Sequence, residues 1–168
     1  CTNNIIGTVG NPNIIANGGS SGLYSPILLV NDVTITGNSI KGNKIFCYGA
    51  VKGITIGTAN GSQAAPVITS ANATTVSGTA TGNDSIHVYI DHRTMACGNT
   101  FPQGAELAGM TKSAGGGGWT VNGTFYGYVT ATTTDATNGT SEFSAQFDTG
   151  VGGAPGPGCA LPIELLSF

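Results

Sequence analysis

Apolar residues in this chain come in short runs that an Asn or Gly cuts off, and nowhere do they recur at helical spacing. Over residues 1–63 the runs are "NIIG" (4–7), "NIIANG" (13–18), "PILLVND" (26–32), "VTITGNSIKGN" (33–43) and "GITIG" (53–57). Each ends on a residue that accepts a left-handed or tight-turn backbone. Such pieces make short strands joined by turns, and no hairpin signature of strict alternation around a two-residue turn accompanies them. The recurrence of I-I or V-T-I followed by x-N predicts stacked rungs of a solenoid, with about twenty residues to a rung. Asn17, Asn38 and Asn43 then fall in turns, where stacked carboxamides hydrogen-bond along the ladder.

The pattern changes at residue 64. Ala65 and Pro66 open a stretch of period-two alternation that runs to about residue 148. In 86–91 the residues Ile86, Val88 and Ile90 face one way, and His87, Tyr89 and Asp91 the other. Trp119 and Val121 alternate inward, as do Val129 and Ala131. Between them lies a long loop, 93–117. "DATNG" (135–139) reads as a tight turn in which Asn138 and Gly139 supply the positive-φ positions. Five or more short strands with Gly/Asn turns predict a small antiparallel sandwich. Residues 149–168 form a Gly/Pro spacer followed by an apolar strand carrying Leu161, Ile163, Leu165 and Phe168. The expected class is therefore all-β, divided at 1–63, 64–148 and 149–168.

Composition narrows the function. Only 8% of residues are charged and 28 are glycine, against about a quarter charged in a typical domain. Five Lys+Arg and a net charge of -3 leave no footprint for a phosphate backbone. No window approaches the roughly 18 continuous apolar residues of a membrane span. Four cysteines, Cys1, Cys47, Cys97 and Cys159, lack any C-x-x-C pair, and only His92 lies near one of them. Disulfides in an oxidising compartment are the expectation, with three connectivities open. No signal peptide is present, so the chain reads as a mature form or a piece of a longer one, and Cys1 as a trimmed boundary.

Two stretches carry resemblances. "NIIANG…VTITGNSIKGN" resembles the last coils of a right-handed parallel β-helix, and "TTVSGTATGNDSIHVYI…VTATTTDATNGTSEFS" resembles the bacterial immunoglobulin-like domain that follows such helices in surface proteins. "ALPIELLSF" resembles the junction that, in many type IX-secreted proteins, leads into a fibronectin-like or C-terminal sorting region. The resemblance implies a short β-helix segment followed by an immunoglobulin-like antiparallel β-sandwich, secreted to the cell surface. It also implies a Cys97–Cys159 bridge between the long loop and the tail, which leaves Cys1 to pair with Cys47 across two rungs.

Residues suited to chemistry are few. Ser85, His87, Asp91 and His92 crowd one strand, but same-face neighbours there stand roughly 7 Å apart, too far for a proton relay. They read as solvent-facing polar residues of a sheet. The carboxylates are scattered, and Asp32, Lys41, Lys44 and Lys52 are too sparse for polysaccharide cleavage on the solenoid. Asp135, Asn138 and Glu142 form a calcium candidate with only three of the roughly six to eight oxygens that ion wants. "AGGGGW" (114–119) lacks the Lys-Ser/Thr of a phosphate loop. Phe125, Tyr126 and Tyr128 near Trp119 read as core packing with one or two surface tyrosines. "DSI" (84–86) fits an O-glycosylation signature of type IX-secreting bacteria, with Ser85 as acceptor.

The expectation is a non-enzymatic structural or adhesive module, extracellular and without a cofactor. Its partners would be adjacent domains of a longer parent or copies of itself, joined into a filament when 161–168 adds to a neighbour's sheet. The alternative is a carbohydrate-binding or polysaccharide-processing β-helix protein, with surface glycans as partners.

Overall fold

A computed structural model describes residues 1–19, 24–29, 31–91 and 101–152. The chain is all-β, and its only helical element among the described residues is a 3-10 turn at Asn60–Ser62. The first six strands are short: β1 (Ile5–Ile6), β2 (Ile14–Gly19), β3 (Ile27–Leu28), β4 (Ser39–Ile40), β5 (Lys44–Tyr48) and β6 (Ile54–Thr55). They pair in parallel, β1 with β4, β2 with β5 and β3 with β6. β1–β3 thus form one three-strand layer lying on a second, β4–β6. Ile40, Ile45, Ile54 and Ile56 of the second layer are buried with Ile27, and Ile6, Ile15 and Leu29 of the first pack on them.

Successive apolar runs turn out to be successive sides of one layer, not the same side of successive rungs. Ile5 lies opposite Ser39, Ile14 opposite Lys44 and Ile27 opposite Ile54, so the repeat is 34, 30 and 27 residues. That corrects the expected rung of about twenty residues. Each layer carries three strands and the turns between them.

Asparagines join the layers at their corners. Asn4 Nδ2 donates to Asn38 Oδ1 (2.8 Å), and Asn38 Nδ2 donates in turn to Asn60 Oδ1 (3.1 Å). At a second corner Asn13 Nδ2 donates to Asn43 Oδ1 (3.0 Å), while Asn43 Nδ2 donates to the Ile6 carbonyl (2.7 Å). Asn38, Asn43 and Asn60 are all buried. The stacked carboxamides expected of Asn38 and Asn43 are therefore present. Asn17 instead lies within β2.

From residue 67 the pairing becomes antiparallel. β7 (Val67–Ala71), β8 (Thr75–Thr79) and β11 (Gly118–Asn122) form one sheet in the order β11-β8-β7. β9 (Ser85–Asp91), β10 (Glu106–Lys112), β12 (Tyr128–Asp135) and β13 (Gly139–Thr140) form another in the order β10-β9-β12-β13, with β14 (Phe147–Asp148) also on β12. The sheets share a core of Ile68, Val76, Ile86, Val88, Ile90, Trp119, Val121, Phe125, Val129 and Ala131. The alternation in 86–91, 119–121 and 129–131 thus points those residues as expected. At the β12–β13 turn only Gly139 takes a positive φ (102°), not Asn138.

The buried corner asparagines lead to a graded expectation. Asn38→Ala strands the groups it binds inside the protein and should cost about 2–4 kcal/mol in equilibrium denaturation, whereas Asn13→Ala, at an exposed position, should cost about 1 kcal/mol or less.

Candidate functional site

The most extensive polar constellation is the seam where the β4–β6 layer meets the antiparallel sheets. β4 is held by the β12–β13 hairpin: the Thr140 N–H donates to the Asn38 carbonyl (2.9 Å), and the Ile40 N–H donates to Thr140 Oγ1 (2.9 Å). β5 is held by the segment before β10, where the Ile45 N–H donates to the Gly104 carbonyl (2.7 Å). Gln103 serves the same strand twice, accepting from the Tyr48 N–H (3.2 Å) and donating to the Tyr48 carbonyl. Beside β6, Glu142 accepts from the Ile56 N–H (3.2 Å) and pairs with Lys52 Nζ (2.5 Å). Phe143 packs edge-on to Tyr89, with ring centroids 5.5 Å apart. A Cβ on Gly53 would come within 2.8 Å of the Phe143 ring, so that close approach requires glycine.

The second face of β9 meets this layer and not solvent. His87 and Asp91 are each 3% exposed, which overturns their reading as solvent-facing residues, and Tyr89 beside them is 2% exposed. Thr130 and Thr132, their cross-strand neighbours on β12, are buried as well. Tyr89 Oη accepts from the Gly42 N–H (3.1 Å), and burial pushes its hydroxyl pKa up to about 12. The Asp91 carboxylate accepts from the Gln103 N–H (3.2 Å) and from Gln146 Nε2. Burial, with a smaller contribution from the positive charge of Lys41, lowers the His87 pKa to about 4. His87 Nδ1 finds no hydrogen-bond partner among the described residues. The face binds layer to sheet.

A shallow groove of about 260 Å³ opens on the outside of the β3–β6 pair, lined by Tyr24, Leu28, Val51, Lys52, Thr55 and Phe101. Tyr24 is 74% exposed and Phe101 40%. The hydroxyls of Ser25 and Thr55 meet at 2.6 Å on its floor. Tyr24 and Phe101 thus line the groove beside these hydroxyls and the Lys52–Glu142 ion pair.

Other predicted residues fall as follows. Asp135, Asn138 and Glu142 do not converge. Asp135 Oδ1 accepts from the Thr137 and Asn138 N–H groups (2.8 and 2.7 Å), while Glu142 turns to Lys52 and β6. The two backbone donors hold the Asp135 carboxyl below its usual pKa. Among the described residues no three or more His, Cys, Asp or Glu side chains gather in a group that could hold a metal ion. Cys1 is exposed and free, so the expected Cys1–Cys47 pairing is not made. Cys47 is disulfide-bonded. Cys97, Cys159, His92 and the apolar strand of Leu161, Ile163, Leu165 and Phe168 lie outside the described residues. Ser85 is half-buried between Lys112 and Thr134. Phe125 is in the core, and Tyr126 Oη donates to Glu106 Oε2 (3.2 Å). Sequence reasoning did not find Gln103, Thr140, Phe143 or the Tyr24–Phe101 groove. Each acts across a long sequence separation, with no local period to mark it.

No protein-family model matches this sequence, and no curated protein matches it. No helix among the described residues is long and apolar enough to cross a membrane.

The buried histidine sets a pH dependence. An unfolded chain takes up a proton on His87 near pH 6.5, and the folded chain does not until about pH 4. Stability from this residue is therefore full above pH 6.5 and is lost as pH falls toward 4, by about 3 kcal/mol in all. In denaturation curves across that window, His87→Leu should be less acid-sensitive than the parent by a comparable amount.

Proposed function

We propose that this chain is a non-enzymatic structural and adhesive module of a secreted bacterial surface protein. In this reading the two parallel layers are coils of a right-handed β-helix, and the antiparallel sheets are an immunoglobulin-like sandwich that closes one end of it. One observation carries most of the support: hydrogen bonds from the antiparallel part reach β4 and β5, and others reach the backbone beside β6. A solenoid coil must have its apolar stack and strand edges covered, and the sheets supply that cover. The outward edge of β1–β3 is where a further coil, of this chain or another, would continue the stack. An oxidised Cys47 and a charge-poor surface suit an extracellular setting.

The Tyr24–Phe101 groove favours a second reading, carbohydrate binding, in which the module holds a surface glycan. Size-exclusion chromatography and negative-stain microscopy of the full chain, beside one lacking residues 161–168, separate the two. Self-association that disappears with the deletion is the expected result. A monomer at every concentration, binding glycans on an array in a manner abolished by Tyr24→Ala, would overturn the structural reading in favour of the second.

A further inference from the structure

The corner asparagines of the parallel layers are joined in one repeated way. Each upper asparagine gives both its backbone N–H and its side-chain Nδ2 to the Oδ1 of the asparagine below. Asn4 does so to Asn38 (3.1 and 2.8 Å), Asn38 to Asn60 (3.0 and 3.1 Å) and Asn13 to Asn43 (3.1 and 3.0 Å). The turn repeats with the clasp, since Asn3 before Asn4 and Gly37 before Asn38 are both left-handed, with φ 57° and 72°. The clasp has a polarity, donors above and acceptor below. Asn38, Asn60 and Asn43 each receive their donors, but no hydrogen bond reaches Asn4 Oδ1 or Asn13 Oδ1 among the described residues. The strand edges agree. The carbonyls of Asn4, Ile6 and Asn13 accept from Ser39, Lys41 and Lys44 below (2.8, 3.3 and 2.9 Å). Alternation therefore turns the Ile5 and Ile14 amides to the opposite, unpaired edge of β1 and β2. Ile6, Ile15 and Leu29 at the top of the apolar stack are only partly buried, whereas Ile40, Ile45 and Ile54 beneath them are fully so.

We propose that this upper edge is a docking surface for one kind of partner, a further parallel coil that sets an asparagine over Asn4 and another over Asn13. The inference rests on the reading of the layers as β-helix coils and names what their stack accepts. Such a coil continues the interface that already joins the first two layers. Its corner N–H and Nδ2 groups donate to Asn4 Oδ1 and Asn13 Oδ1, its strands take up the Ile5 and Ile14 amides, and its apolar residues cover Ile6, Ile15 and Leu29. Burying either Oδ1 without a donor is costly, so the two asparagines select against a coil that is merely apolar. The third corner makes no such demand, because Asn31 Oδ1 already accepts from the Thr58 N–H (2.7 Å). A second copy of this chain does not meet the pattern. Its first layer ends on the same acceptors, and its second is bonded to the sheets through Thr140, Gly104 and Glu142. Residues 153–168 include no asparagine to make the clasp.

A coil of the chain's own sequence serves as the probe. A copy of residues 2–34 placed directly before Cys1 sets its corner asparagines over Asn4 and Asn13, at the 34-residue spacing that separates Asn4 from Asn38. In NMR hydrogen exchange the Ile5 and Ile14 amides should exchange at least about tenfold more slowly in the extended chain than in the parent. Alanine at the two corner asparagines of the copy should return them to the parent rate. The Val88 and Val129 amides, in the core of the antiparallel sheets, show that each variant is folded. Slowing that survives the alanines overturns the asparagine clasp and leaves the coil reading standing. No slowing in the extended chain overturns both. Slowing in the parent chain as its concentration rises means that a second copy takes the edge, and this also overturns the proposal.

Discussion

Asn38 is the residue at which both kinds of sheet are tied together. Its carboxamide accepts from Asn4 of the first layer and donates to Asn60 at the turn that leaves the second. Its backbone meets Gly139 and Thr140 of the β12–β13 hairpin. In so dry a site each of these bonds is strong and each unmade partner is costly. Parallel register, the turn at Asn60 and the position of the hairpin are therefore specified together. Gly139 belongs to the same constraint: a Cβ there would lie 2.5 Å from the Asn38 carbonyl oxygen.

The charge-poor composition becomes intelligible from that junction. On a sheet exposed to water, the second face of β9 and β12 could carry lysines and glutamates. Here it is pressed against the β4–β6 layer and carries Thr130, Thr132, Tyr89 and His87, all polar enough to hydrogen-bond and neutral when buried. Asp91 is the charge that remains, and Gln103 and Gln146 solvate its carboxylate in place of water. The ion pair across the seam, Lys52 with Glu142, sits at the surface, where such a pair contributes at most about 1 kcal/mol. Buried hydrogen bonds and apolar packing around Phe143 hold the junction.

The junction draws on parts of the chain far apart in sequence. Residues from 101–105, 138–143 and β9 reach the second layer from chain positions far removed from it, so parting the layer from the sheets means breaking contacts from three separate segments. The Gln63–Asp84–Thr133 cluster stands at the end of the same junction, on the strand-to-strand path between the two kinds of sheet.

Much of the architecture could be read from local pattern. Apolar runs ending in Asn or Gly specify short strands and turns, and the period-two alternation of Ile86, Val88 and Ile90 assigns the core of the antiparallel sheets, because both follow from backbone geometry within a few residues. The stacking of Asn38 and Asn43 was legible for the same reason. The length of the repeat was not, since nothing local distinguishes the next side of one layer from the same side of the next. Nor was the burial of His87, Tyr89 and Asp91: alternation says which residues share a face, but what covers that face depends on contacts between segments far apart in the chain. The sequence alone determined an all-β chain of short strands and the orientation of its core residues. Only the tertiary structure decided which polar face became a buried seam, because that face is covered by a layer whose residues carry no local mark of the contact.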